Sequence, residues 1–118
     1  MTLNEDDKKR VYNILEQITI WLDNKRKYSK NGICVELPSS KNKIRLVLIP
    51  CDCFVIVGET CYSFMDEDEW QHNNLFKNKC YLNDILDFIM DWDYIKTKIL
   101  ESIDEPNKLI NLIRNFKI

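Results

Sequence analysis

The fold is decided by the stretch from residue 33 to residue 64, which reads ICVELPSSKNKIRLVLIPCDCFVIVGETCYSF. It contains four short segments in which side chains alternate in polarity or size, which is typical of half-buried β-strands. Turn-forming residues separate the segments at residues 38–42, at residues 50–53 and at Gly58-Glu59. Because connections this short join antiparallel neighbours, the stretch predicts a four-stranded antiparallel β-meander.

One face of the predicted sheet is expected to lie in the core. In an extended strand, every second side chain points to the same face, so the alternating apolar residues identify it. The predicted core face consists of Ile33, Val35, Leu37, Ile44, Leu46, Leu48, Phe54, Ile56, Tyr62 and Phe64.

Helices are predicted on both sides of the meander along the chain. Residues 4–29 begin at the capping residue Asn4 and repeat apolar residues at spacings of three and four. These residues are Val11, Ile14, Leu15, Ile18 and Leu22. Residues 82–103 carry a second such face, formed by Ile85, Phe88, Ile89, Trp92, Ile95, Ile99 and Ile103. Pro106 suits the first turn of a last short helix. The order predicts one α+β domain over residues 1–118, with the two C-terminal helices packed on one face of the sheet.

Composition limits the functions that this chain can have. It has 118 residues, two glycines and a single histidine, so we expect neither a glycine-rich phosphate loop nor a site that needs two imidazoles. Fifteen Ile, thirteen Lys and twelve Asn with no Ala indicate AT-rich coding, as in low-GC bacteria, their phages and plasmids, or large AT-rich viruses. The acidic start and the lack of a long apolar run predict a cytoplasmic protein without a membrane span.

The cysteines are expected to be reduced thiols, without metal. The odd number of five, with no export signal, argues against a disulfide framework. The thiols and imidazole that zinc could use are Cys51, Cys53, Cys61, His72 and Cys80. Only one cysteine pair is close in sequence, and its members are one residue apart, whereas structural zinc favours pairs two to four apart. No catalytic group stands out either, so we expect no metal, no cofactor and no enzyme. The sequence alone does not show whether the four cysteines and His72 named above as zinc candidates meet in space.

Charge is distributed unevenly along the chain. The net charge is −2, but residues 66–105 alone carry eleven acids and four bases, a net charge of −7. Four consecutive carboxylates, Asp66, Glu67, Asp68 and Glu69, precede Trp70.

A regular row of acids follows in the second predicted helix. Asp84, Asp87 and Asp91 recur there at spacings of three and four, so they predict an acidic stripe on one helix face. Such a stripe is either a solvated surface or a docking surface for a basic protein, because carboxylates at regular spacing resemble a row of phosphates. Trp70 would then serve as the aromatic anchor.

Two binding functions therefore remain. The sequence favours a stoichiometric inhibitor of a basic, nucleic-acid-handling protein such as a nuclease, of the phage anti-defence (anti-CRISPR-like) or toxin-immunity class. This expectation is an analogy from size, charge and composition. The alternative is a nucleic-acid-binding or regulatory module that uses a basic cluster formed by Lys25, Arg26, Lys27 and Lys30. A helix C-terminus, which favours cations, also explains that cluster.

Overall fold

The computed structural model of the chain describes residues 3–63, 79–103 and 113–115. The elements are α1 (Glu5–Arg26), β1 (Ile33–Glu36), β2 (Arg45–Ile49), β3 (Asp52–Val57), β4 (Thr60–Ser63), α2 (Lys79–Met90) and α3 (Trp92–Ser102). The predicted α+β class, with a long N-terminal helix, a four-stranded antiparallel sheet and later helices, is confirmed. Residues 113–115 are helical, and the rest of the short helix predicted after Pro106 lies outside the described residues.

Helix α1 begins where the sequence predicts. The Asn4 side chain accepts a hydrogen bond from the Asp7 amide at 2.8 Å, which caps the first turn. The residues that α1 buries are Val11, Leu15, Ile18 and Leu22. Ile14, which was predicted on the same face, lies at its edge and is 38% exposed. The helix ends at Arg26, three residues before the predicted end, because the amides of Tyr28 and Ser29 bond the carbonyls three residues earlier and tighten the chain into a turn.

The four strands form a meander in the order β1-β2-β3-β4, with every neighbouring pair antiparallel. Helix α1 contacts β2 and β3, and α3 contacts β1. The buried strand and helix residues belong to one hydrophobic cluster, so both helices cover the same face of the sheet. Leu46 and Leu48 of β2 lie at its centre and are fully buried.

In β3, the predicted core face is wrong. The buried residues are Cys53 and Val55, whereas Phe54 and Ile56 are half-buried on the opposite face. The cause is the even number of residues in the β2–β3 turn, which the four-residue turn predicted at residues 50–53 shares with the observed one. Ile49 pairs with Asp52, which leaves a two-residue connection, and an even number of connecting residues places even-numbered positions opposite odd-numbered ones.

The same rule fixes the register of β4. The β3–β4 connection also has two residues, and Val55 pairs with Tyr62 across it. The prediction that the Tyr62 side chain lies on the core face concerns a side chain that is not described. Phe64, the other residue predicted for this strand's core face, lies outside the described residues.

The predicted helix over residues 82–103 is divided in two at Asp91. The Asp91 backbone has φ −92° and ψ 7°, and this ψ is well away from the helical value near −42°. The helical hydrogen bonds nevertheless continue on both sides, from the Asp91 amide to the Asp87 carbonyl and from the Ile95 amide to the Asp91 carbonyl. We call this junction the elbow. A one-residue bend leaves the apolar spacing nearly unchanged, so the periodicity of the sequence does not indicate it.

Candidate functional site

The three aspartates of the predicted acidic stripe lie in different environments. Asp84 is only 4% exposed and Asp91 only 6% exposed, whereas Asp87, between them in sequence, is half-buried. Asp84 and Asp91 are seven residues apart and so lie on one line along the helix, while Asp87 lies to its side. The aspartates therefore do not form one exposed stripe, because the line through Asp84 and Asp91 faces another part of the chain.

That part is the loop between β1 and β2, residues 37–44, which we call the β1–β2 loop. Its Ser39 amide donates a hydrogen bond to Asp91 Oδ2 at 2.9 Å. The Asn42 side-chain amide donates one to Asp84 Oδ1 at 3.1 Å. The two buried aspartates thus fasten α2 and the elbow to this loop.

The pKa of Asp84 is raised above its ordinary value. The main cause is burial, which disfavours the ionised carboxylate, and the negative charge of Asp87 adds to it. The hydrogen bond from Asn42 acts in the opposite direction and does not compensate fully. At neutral pH, an ionised Asp84 is consequently held in an unfavourable environment.

The loop itself is ordered by a serine. The Ser40 hydroxyl oxygen accepts hydrogen bonds from the amides of Asn42 and Ile44, each at 3.2 Å. Lys43 adopts a positive φ of 51°, which completes the tight turn before β2. The donors that meet Asp84 and Asp91 therefore project from a loop with its own internal hydrogen bonds.

The elbow also carries exposed apolar and acidic side chains. Met90 is 70% exposed and Tyr94 is 44% exposed, and they are four residues apart across the bend. Asp87 precedes Met90 by one turn, and the exposed Asp93 lies beside Tyr94. We call these four residues the elbow face. Lys98 lies over the Tyr94 ring, with its Nζ 5.6 Å from the centroid.

Aromatic packing supports the elbow from within. The Trp92 ring packs edge-on against Trp21 of α1, with centroids 5.2 Å apart. It also lies 6.0 Å from the ring of Phe88, which is fully buried. Together with the two aspartate contacts, these rings fix the position of the elbow relative to α1 and the sheet.

The sequence did not single out Met90, Asp93 and Tyr94. A signal was available for Met90, since it falls outside the apolar periodicity of α2 and still carries a large apolar side chain. The remaining residues of the predicted docking surface, Asp66, Glu67, Asp68, Glu69 and Trp70, lie outside the described residues.

The basic cluster at the end of α1 is largely engaged within the chain. Lys25 Nζ lies 5.8 Å from the Trp21 ring centroid, and Lys27 Nζ lies 5.1 Å from that of Tyr28. Arg26 pairs with Asp23 at 2.7 Å and also donates a hydrogen bond to the Pro50 carbonyl.

Lys30 lies on a small pocket beside this cluster. The pocket has a volume of about 130 Å³ and is lined by residues 28–33 and Ser102. The side chains of the basic cluster thus lie around the C-terminal end of α1, where the helix dipole favours cations.

The cysteines lie in contrasting environments. Cys34, Cys51 and Cys61 are exposed, whereas Cys53 is buried. Burial strongly raises the pKa of the Cys53 thiol, and the neighbouring Asp52 carboxylate raises it further. Within the described ranges, no group of three or more His, Cys, Asp or Glu side chains is arranged to hold a metal ion. His72 lies outside those ranges, and the Cys80 side chain is also not described.

The chain matches no protein family model, no curated protein and no solved structure. In the part of the chain that the structure describes, no helix is both long enough and apolar enough to cross a membrane.

Proposed function

We propose that this protein is a binding module that inhibits a basic partner protein stoichiometrically, and that the elbow face contacts the partner. The observation that carries the proposal is the exposure of Met90, at 70%, on an elbow that also carries the exposed Tyr94 and Asp93 and the half-buried Asp87. An exposed apolar centre with a charged rim is the usual arrangement of a protein-binding hot spot.

Charge supports the choice of a basic partner. Asp87 and Asp93 border the apolar side chains, and the elbow lies in the segment 66–105, whose net charge is −7. Carboxylates around a docking site accelerate the approach of a positively charged partner and disfavour acidic ones. Surfaces that bind nucleic acid are basic, so a nuclease or another nucleic-acid-handling protein has the required chemistry.

Rigid support also favours this surface. The elbow is fastened to the β1–β2 loop through Asp84 and Asp91, and Trp92 packs against α1. A surface that is ordered before binding loses less entropy when the partner docks. The small acidic chain and its AT-rich composition are consistent with an inhibitor of the phage anti-defence (anti-CRISPR-like) or toxin-immunity class, acting in the cytoplasm of the producing or host cell.

Affinity capture with three matched baits tests the proposal. The baits are the wild type, Met90→Lys and Ile20→Lys. Ile20 is 63% exposed on the solvent side of α1, so both variants exchange an exposed apolar residue for lysine and alter the net charge equally. We expect one basic protein to be retained by the wild type and Ile20→Lys and lost by Met90→Lys. Equal retention of every captured protein by all three baits would contradict the role of the elbow face.

A further inference from the structure

Asp84 and Asp91 bind the same short loop at two separate points. The Asp91 carboxylate accepts a hydrogen bond from the Ser39 backbone amide, and the Asp84 carboxylate accepts one from the Asn42 side-chain amide. Within the described ranges, each buried carboxylate thus has a neutral donor and no cationic one. The contacts join residues 52 and 42 positions apart in sequence, so they connect the elbow and α2 to the loop between the first two strands.

Both charged residues on the facing loop lie away from these carboxylates. Lys41 and Lys43 flank Asn42 and are exposed. In the described part of the chain, neither lysine forms an ion pair with Asp84 or Asp91. On the helices, the charge that acts on Asp84 is the carboxylate of Asp87. Among the described residues, none forms an ion pair that would favour an ionised Asp84.

We propose that Asp84, Asp91 and the β1–β2 loop form a clamp that holds the elbow bent, and that the Asp84 half of this clamp stabilises the fold more as the solution is acidified. A protonated Asp84 keeps a carbonyl oxygen that accepts the Asn42 hydrogen bond. Because it is neutral, its burial no longer carries the free-energy cost of burying a charge. The clamp is a property of the free chain. The elbow face depends on the clamp for its shape, and only in this respect does the clamp deepen the proposed function.

The direction of the pH effect follows from the raised pKa of Asp84. Because the folded protein binds this proton more readily than the unfolded chain, Asp84 destabilises the fold at neutral pH. That destabilisation disappears as the pH falls through the raised pKa toward the ordinary value of 3.8. Other carboxylates respond differently to acid, so the effect must be measured as a difference between two variants.

The first experiment compares thermal unfolding of the wild type and Asp84→Asn between pH 7 and pH 4. Asparagine keeps the shape and the acceptor oxygen but carries no charge. We expect Asp84→Asn to melt at a higher temperature at pH 7 and the difference to shrink toward pH 4. Asp93→Asn is the matched control, since Asp93 is exposed on the same elbow, and its difference should not follow this course. A difference that stays constant or grows on acidification would overturn the proposal.

Nuclear magnetic resonance on the free protein tests each contact separately. The side-chain amide protons of Asn42 should shift with a midpoint above pH 3.8, because they report the protonation of Asp84. Asp91→Ala should increase hydrogen exchange at the Ser39 amide by about tenfold or more, and Asp91→Asn, which keeps an acceptor, should increase it less. An Asn42 midpoint at or below 3.8, or unchanged exchange at Ser39 in Asp91→Ala, would overturn the clamp. Since no partner is present, failure here leaves the proposed binding function to its own test.

Discussion

The face that β3 turns toward the core gives the sharpest test of the fold, through the substitution Val55→Thr. Val55 is 3% exposed and pairs with the fully buried Leu46. Threonine has the same branched shape and a similar preference for strands, so the exchange isolates the effect of replacing a buried methyl group by a hydroxyl.

The expected cost follows from the burial of that group. Losing one buried methyl costs about 0.8 kcal/mol, and burying a hydroxyl without a full set of partners costs about 1–3 kcal/mol. We therefore expect Val55→Thr to lower the free energy of unfolding by about 2–4 kcal/mol. For a domain of this length, that loss corresponds to a decrease in Tm of about 8–16 °C.

Val47→Thr is the matched control for this prediction. Val47 pairs with Phe54 on the face that the helices do not cover, and it is only half-buried. There the hydroxyl reaches water, so we expect a change of less than about 0.5 kcal/mol. Thermal and urea unfolding of both variants provide the comparison. If Val55→Thr is nearly neutral, β3 presents Phe54 and Ile56 to the core, and the register described above is wrong.

Three further predictions concern separate parts of the molecule. Asn4→Ala removes the cap that bonds the Asp7 amide and should cost about 1 kcal/mol in thermal unfolding, whereas Asn4→Asp should cost little. In the native protein, Ellman's reagent should modify the exposed Cys34, Cys51 and Cys61 rapidly, while Cys53 should react only after unfolding because burial raises its pKa. Rapid labelling of Cys53 in the folded state would contradict its position. In gel-shift titrations at low salt, mixed-sequence DNA and RNA should bind weakly; tight, steeply salt-dependent binding that requires Lys25 and Arg26 would favour the nucleic-acid-binding alternative.

Much of the fold could be predicted because local chemistry determines it. The Asn4 cap and the spacing of the buried residues define α1, and short turns between alternating segments define the meander. The core face of β3 was predicted wrongly because all residues from Cys53 to Val57 are hydrophobic, so alternation does not distinguish its two faces. The even number of residues in the β2–β3 turn decides which face is buried, and the turn of four residues and the turn of two give the same answer.

The candidate site was harder to predict than the fold. The sequence places Asp84, Asp87 and Asp91 on one region of a helix, but it does not show which of them meets another part of the chain. Their separation depends on contacts with Ser39 and Asn42, which are distant in sequence. An aspartate that is buried and accepts a hydrogen bond from a distant residue can have the same local sequence pattern as an aspartate that is exposed to water. The exposure of Met90 likewise depends on the direction in which the chain bends at the elbow.

Isothermal titration calorimetry with the purified partner identified by capture tests the central claim most directly. We predict one partner bound per chain and an affinity that weakens as salt is added. We also predict a Kd at least about tenfold higher for Met90→Lys and nearly unchanged for Ile20→Lys, since only Met90 would lie in the interface. Equal affinities for the wild type and both variants would show that the elbow face does not bind the partner.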